Sequence, residues 1–322
     1  GNVQKLTFVI YDGDSELSDI SVVGNEGLTN VGSISQTLTI DSEYYQGSIT
    51  HTLTITKKIV NVISIQSKEY TGEVLIADIE ESDLYTVTEN LGGTNVGFYN
   101  VVLTLKDSSN YKWETTESSS VEINFEITKA TAVITDLAIE GWTYGDVAKE
   151  PTATTNIGSI VYTYAISLDG DYTSTVPTTA GTYYVKATVL GTDNYNGAVA
   201  TYEFTISKKS VSVSWNVGSY TYTGNVLTNP TASITLVDGT DYELTVSTTK
   251  EFKNVDTYTF TASTEDSSLL NNYEITNTTK DVTVGKANAE IVNFAIEVWT
   301  YGDTAKEPTA TTNIGSIVYT YA

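Results

Sequence analysis

The sequence predicts an all-β protein: a linear, end-to-end array of small antiparallel β-sandwiches. Three observations carry that prediction. A strand-closing motif recurs at near-equal spacing, and apolar residues alternate with polar ones wherever a period can be read. In addition, the 24 residues WTYGDVAKEPTATTNIGSIVYTYA at 142–165 return at 299–322 with one change, Val147 to Thr304. Self-similarity of this kind is the mark of stacked supersecondary units, each too small to bury its apolar face alone.

Composition agrees. Thr, Ser, Tyr and Val dominate the 322 residues, which favours strands and turns. Cysteine is absent, so neither disulfides nor thiolate metal sites can form. The 40 acidic residues outnumber 16 basic ones, all lysine, for a net charge of −24. Nucleic-acid binding draws on a cationic footprint, and this chain has none. No apolar run reaches the roughly 18 residues that span a bilayer, so no membrane insertion is expected in this window. The surplus charge keeps a long chain soluble and self-repelling.

The elements follow in order. LTITKK (53–58), FEITKA (125–130), FTISKK (204–209) and VTVGKA (282–287) each read as a closing strand with a marker lysine: Lys57, Lys129, Lys208 and Lys286. The intervals between them run 72, 79 and 78 residues, the size of a sandwich of about seven strands. Two openings alternate. SKEYTGEVL (67–75) and SYTYTGNVL (219–227) form one type, and WTYGDVAKEPTA (142–153) with WTYGDTAKEPTA (299–310) the other. The endings are alike: GFYNVVLTLKDSSNYKW (97–113), GTYYVKATVLGTDNYNG (181–197), DTYTFTASTEDSSLLNNYE (256–274) and, more loosely, QTLTIDSEYYQG (36–47). Within them Tyr183, Val185, Ala187 and Val189 share one face, as do Tyr202, Phe204 and Ile206. A period of two with one polar face predicts antiparallel strands packed on one side. LDGDY (168–172) reads as a hairpin turn. No window shows sustained helical spacing.

KLTFVIYDGDSE (5–16) aligns with VYTYAISLDGDYTS (161–174). Residues 1–56 are therefore expected to be the second half of a WTYGD unit. Residues 57–129 form a YTG unit, 130–208 a WTYGD unit, 209–286 a YTG unit, and 287–322 the first half of a WTYGD unit. Half-units need completing, either by further polypeptide or by a neighbouring chain in a fibre.

The order of these motifs, clearest in GTYYVKATVLGTDNYNGAVATYEFTISK, resembles the bacterial immunoglobulin-like repeats of the MBG/YDG type found in tandem on large surface proteins and adhesins. The resemblance covers nearly the whole chain and is strongest over 130–286. It implies Ig-like sandwiches outside the cell, at a bacterial surface, and brings no catalytic residues with it.

Candidate sites are sparse. The single histidine, His51, sits in SITHTLTI and is expected to face solvent, so no nucleophilic triad has a base. Alternating carboxylates suggest calcium loops: Asp12, Asp14 and Glu16 in YDGDSE, Asp169 and Asp171 in LDGDY, Asp238, Asp241 and Glu243 in VDGTDYE. Turn chemistry explains Asp-Gly equally well. Tyr111, Tyr195 and Tyr273 each follow Asn near the last hairpin. A buried ring with its hydroxyl returned to backbone, as in a tyrosine corner, is the simplest role. Trp142 and Trp299 stand at unit entrances and are expected to pack on the preceding unit. A Lys–Asn amide would draw on Lys149 or Lys186 with Asn194 or Asn196, and NTT at 277–279 is a lone sequon.

The expected function is a non-enzymatic spacer projecting the tip of an adhesin-like protein, without cofactor unless calcium binds. Its expected partners are the adjacent Ig-like units and, in a filament, head-to-tail copies of the same chain. A calcium- or glycan-binding Ig-like module is the alternative.

Overall fold

The structure, a computed structural model, describes residues 2–4, 9–18, 21–23 and 27–321. Residues 5–8 of the predicted first strand lie outside the described residues. By contact the chain divides into two units: 1–135 with 155–160 and 188–199, and 136–154 with 161–187 and 200–322.

In the first unit, Ser21–Val23, Gly32–Asp41 and Gln46–Ile55 form an antiparallel sheet. Its hairpin pairs Gly32 with Ile55 and Asp41 with Gln46. A four-stranded sheet follows in the order Lys68–Glu69, Ser120–Thr128, Gly97–Leu105, Tyr85–Asn90. Beside it, Lys58–Val60 and Tyr111–Trp113 pair in parallel. Alternation places Val101, Leu103 and Leu105 of one long strand, and Phe125 and Ile127 of the next, on the same buried side. Val60 and Trp113 of the small pair close over them, so the core lies between two layers. Trp113 keeps its indole N–H satisfied by donating to the Ser119 carbonyl at 3.2 Å.

Another four-stranded sheet runs Trp142–Thr143, Ala198–Ser207, Gly181–Val189, Ile160–Ala165. Tyr183, Val185, Phe204 and Ile206 form its core, as the alternation predicts. Tyr202, on the same predicted face, lies exposed outside that cluster. The other sheet has six strands, ordered Ser214–Asn216, Thr231–Thr235, Asp241–Thr248, Thr257–Ser263, Thr279–Gly285, Tyr220–Thr221. Residues 241–244 of one strand pair with 232–235, whereas 245–248 pair with 260–263. That strand thus passes from one layer into the next, and two buried clusters form instead of one.

One short helix, Ser267–Asn272, departs from the all-strand expectation. Its cause is local: the Asp266 carboxylate accepts from the Ser268 and Leu269 amides, and Leu269 is buried. Every buried cluster takes its buried residues from a single interval between marker lysines. The fold is nearly all-β. His51, expected at the surface, is half-buried and faces Gln36 across the Gly32–Asp41/Gln46–Ile55 hairpin, because the hairpin's inner face includes it.

Candidate functional site

What recurs is a junction. After three of the four marker lysines, Lys57, Lys129 and Lys208, the next residue starts a new strand that pairs in parallel beside an Asn-Tyr hairpin: Lys58 with Tyr111, Ala130 with Tyr195, Lys209 with Tyr273. Between Ser120–Thr128 and Ala130–Thr131 only Lys129 intervenes, and between Ala198–Ser207 and Lys209–Ser212 only Lys208. The chain therefore crosses in one extended stroke, without a flexible spacer.

The asparagine before each tyrosine reaches back to a backbone amide far earlier in the chain. Val31 N–H donates to Asn110 Oδ1 at 2.8 Å, Val96 N–H to Asn194 Oδ1 at 2.9 Å, and Ala180 N–H to Asn272 Oδ1 at 2.9 Å. The free amide nitrogens are also used: Asn194 Nδ2 donates to Asn95 Oδ1 at 3.0 Å, and Asn110 Nδ2 to Asn30 Oδ1 at 3.2 Å. Lys129 Nζ donates to the Thr192 carbonyl and Lys208 Nζ to the Leu270 carbonyl, both at 2.7 Å. Tyr195 meets Tyr70, and Tyr273 meets Tyr144, each edge-on at 5.3 Å between centroids and 76° between planes. The side-chain amide thus recurs at three junctions, and at two of them an ammonium and an aromatic edge join it as a latch. Each hydrogen bond alone contributes about 1 kcal/mol, so the latch orients more than it stabilises.

The tyrosines predicted to pin corners sit in these latches. Tyr273 is buried and its hydroxyl accepts from Val237 N–H at 3.0 Å. Tyr273 thus has its ring buried and its hydroxyl on backbone, as expected, and the bond to a carbonyl four residues upstream is made by other tyrosines. Tyr99 donates to the Asn95 carbonyl, Tyr183 to Thr179 and Tyr258 to Asn254, each four residues back. A V-G or A-G pair ahead of Tyr99 and Tyr183 was the available signal. Trp142 does not pack on a preceding unit; it is buried in its own core, stacked on Phe204 at 5.3 Å. Trp299, in the same sequence, is half exposed.

The carboxylate loops are built as turns. Gly13 (φ +58°) and Gly239 (φ +84°) supply the left-handed residues of YDGDSE and VDGTDYE. Asp238 accepts from both the amide and the hydroxyl of Thr240, and Asp241 from the Thr235 hydroxyl at 2.7 Å. Asp12 accepts from the Tyr45 hydroxyl at 3.0 Å. In LDGDY, Tyr172 donates to the Leu168 carbonyl and carries Lys186 over its ring, 3.6 Å from the centroid. Asp14, Glu16, Asp169 and Asp171 lie exposed around these turns. Among the described residues no three His, Cys, Asp or Glu side chains gather closely enough to hold a metal. Lys186 over Tyr172 and the doubly bonded Asn194 amide are likewise engaged away from any Lys–Asn amide.

One latch carries an acid sensitivity. The Asn110 side-chain amide, together with the Asn110 and Ser109 backbone amides, holds Asp107 below its ordinary carboxylate value of 3.8. A depressed folded value stabilises above the unfolded one and is lost as pH falls through the folded one. Acidification below about pH 4 is therefore expected to lower the melting temperature of the wild type more than that of Asp107→Asn. Equal losses in parallel melts at about pH 7 and 3 would remove Asp107 from this role.

No protein-family model matches the chain, and no curated protein matches it in sequence.

Proposed function

We propose that the chain is a non-enzymatic structural spacer at a bacterial cell surface, an array of immunoglobulin-like modules that holds other parts of its protein away from the cell. The recurrent latch is the observation that carries this reading. Three junctions carry the same Asn-to-backbone bond and two of them are crossed by a single lysine, which suits a strut and serves no chemistry. The absence of cysteine, the acidic surface and the motif order of surface repeats support the extracellular setting.

Mechanically, each module contributes its length, and its stability is a sum of module and nearest-neighbour terms. Pulling a single chain by its ends is expected to give three force peaks, for 57–129, 130–208 and 209–286. Their spacing should be roughly 25 nm, the contour released by about 80 residues. One cooperative rupture, or a featureless extension, would overturn the modular strut.

A further inference from the structure

Two asparagines flank Tyr195, and the latch uses only one of them. Asn194 is held at both ends of its side-chain amide, by the Val96 N–H and by Asn95 Oδ1. Asn196 is exposed, and among the described residues nothing hydrogen-bonds its side chain. It is also the one asparagine of the 322 residues that is followed by glycine. At the matching positions of the other two latches stand Lys112-Trp113 and Glu274-Ile275.

The backbone at Asn196 is lightly held. Tyr195–Asn196 is a strand of two residues, pairing Tyr195 with Ala130 and Asn196 with Thr131. The equivalent parallel pairings run over three residues from Tyr111 and four from Tyr273. Past Thr131, the Ala132 N–H donates to the Asn196 carbonyl at 3.0 Å. A local opening that frees Asn196 therefore breaks one short pairing and leaves the long ladders alone.

Packing explains why the next residue is glycine. A Cβ at 197 would stand 2.6 Å from the Val189 carbonyl oxygen and 3.0 Å from the Gly191 nitrogen, both of them backbone atoms. Only glycine tolerates so close an approach of two stretches of main chain. The side chain that would shield a backbone nitrogen from reaction is thus excluded by the hairpin itself. A free, exposed asparagine amide and an unshielded backbone nitrogen stand side by side.

We infer that Asn196-Gly197 is a self-modifying site, where the chain deamidates without an enzyme and loosens its own latch. The Gly197 backbone nitrogen gives its proton to solvent base and attacks Asn196 Cγ. A new N–Cγ bond closes a five-membered succinimide, the Cγ–Nδ2 bond breaks, and the amide nitrogen leaves as ammonia with a proton from water. Water then opens the ring at either carbonyl. Opening at Cγ restores a normal main chain with aspartate at 196. Opening at the other carbonyl leaves isoaspartate: the main chain gains one carbon, and the carbonyl that accepted from Ala132 becomes a free carboxylate. The Thr131–Asn196 pairing loses its register in that product. Both products add negative charge to a chain already at −24. The reaction quickens as pH rises, because the nitrogen attacks only after losing its proton. None of this depends on the spacer reading; the site would age in the same way in a chain of any function.

The test follows the full-length chain as it ages in mildly alkaline and in mildly acidic buffer. Samples are digested at intervals, and each asparagine-containing peptide is followed by mass and by isoaspartate content. The expected result is conversion at Asn196 about tenfold or more faster than at any other asparagine, and slower in acid. Conversion no faster than at Asn194 overturns the proposal. So does a rate in the folded chain more than about tenfold below that of a synthetic 190–200 peptide, which would mean that the fold protects the site. The latch is read separately, by hydrogen exchange at the Ala132 N–H. Aged isoaspartyl protein is expected to lose about tenfold or more of that protection, while Asn196→Gln aged alongside and fresh Asn196→Asp keep it. Unchanged exchange at Ala132 in the isoaspartyl protein would overturn the loosening.

Discussion

Trp142→Ala is expected to destabilise its module by about 3–5 kcal/mol, the range for emptying a buried indole site. Trp299→Ala, in an almost identical stretch of sequence, is expected to cost under about 1 kcal/mol in dilute solution, as surface substitutions do. The asymmetry comes from environment alone. Trp142 lies against Phe204, whose ring is itself held by Tyr164 and Tyr183, so removing the indole leaves a cavity beside a ring that is not free to fill it. Calorimetry should show one transition lowered by more than about 10 °C for Trp142→Ala, with little change for Trp299→Ala. Equal shifts would mean that the two copies are equally packed, and the exposed face at 291–301 would have no basis.

Gly92→Ala is the second large effect expected, at about 3 kcal/mol. Gly92 has φ +61°, where an L side chain costs roughly 1–2 kcal/mol. A Cβ there would also run into the Leu75 carbonyl and force a shift of backbone, worth a further ~1–3 kcal/mol. That carbonyl is committed: Leu75 and Gly93 exchange both amide hydrogen bonds, at 2.8 and 3.0 Å. Gly224→Ala offers a comparison, because Gly224 shares the left-handed backbone (φ +82°) but has open space around it. A denaturation midpoint lowered no further by Gly92→Ala than by Gly224→Ala would contradict the close approach.

The alternation of Tyr183, Val185, Ala187 and Val189 was legible because a period of two is a local property of pleated backbone, and all four are buried. The lysine spacing was legible for a related reason: each closing strand ends where its apolar face ends. The latches were not. Val96 and Asn194 are 98 residues apart, and no local pattern announces that a side-chain amide will meet a particular backbone N–H. Trp142 was placed against the wrong neighbour because its aromatic partner, Phe204, arrives two strands later. The helix at 267–272 did carry a signal, an aspartate followed by S-S-L-L, but six residues are too few to establish a helical period. The carboxylate loops show the reverse error of emphasis. Asp238 and Asp241 are spaced like ligands, yet the hydroxyls of Thr240 and Thr235 already occupy them.

The single-lysine crossings have a consequence for how such a protein can change length. Side chains on a strand point alternately to either side, so adding or deleting one residue at Lys129 or Lys208 would turn the following apolar face outward. Gradual lengthening is therefore closed to it. Recombination between the matching stretches at 142 and 299 would insert or excise the whole segment between them and rejoin the chain in phase. Variants of this chain should accordingly differ by complete copies of that segment, each already fitted to the sequence it meets.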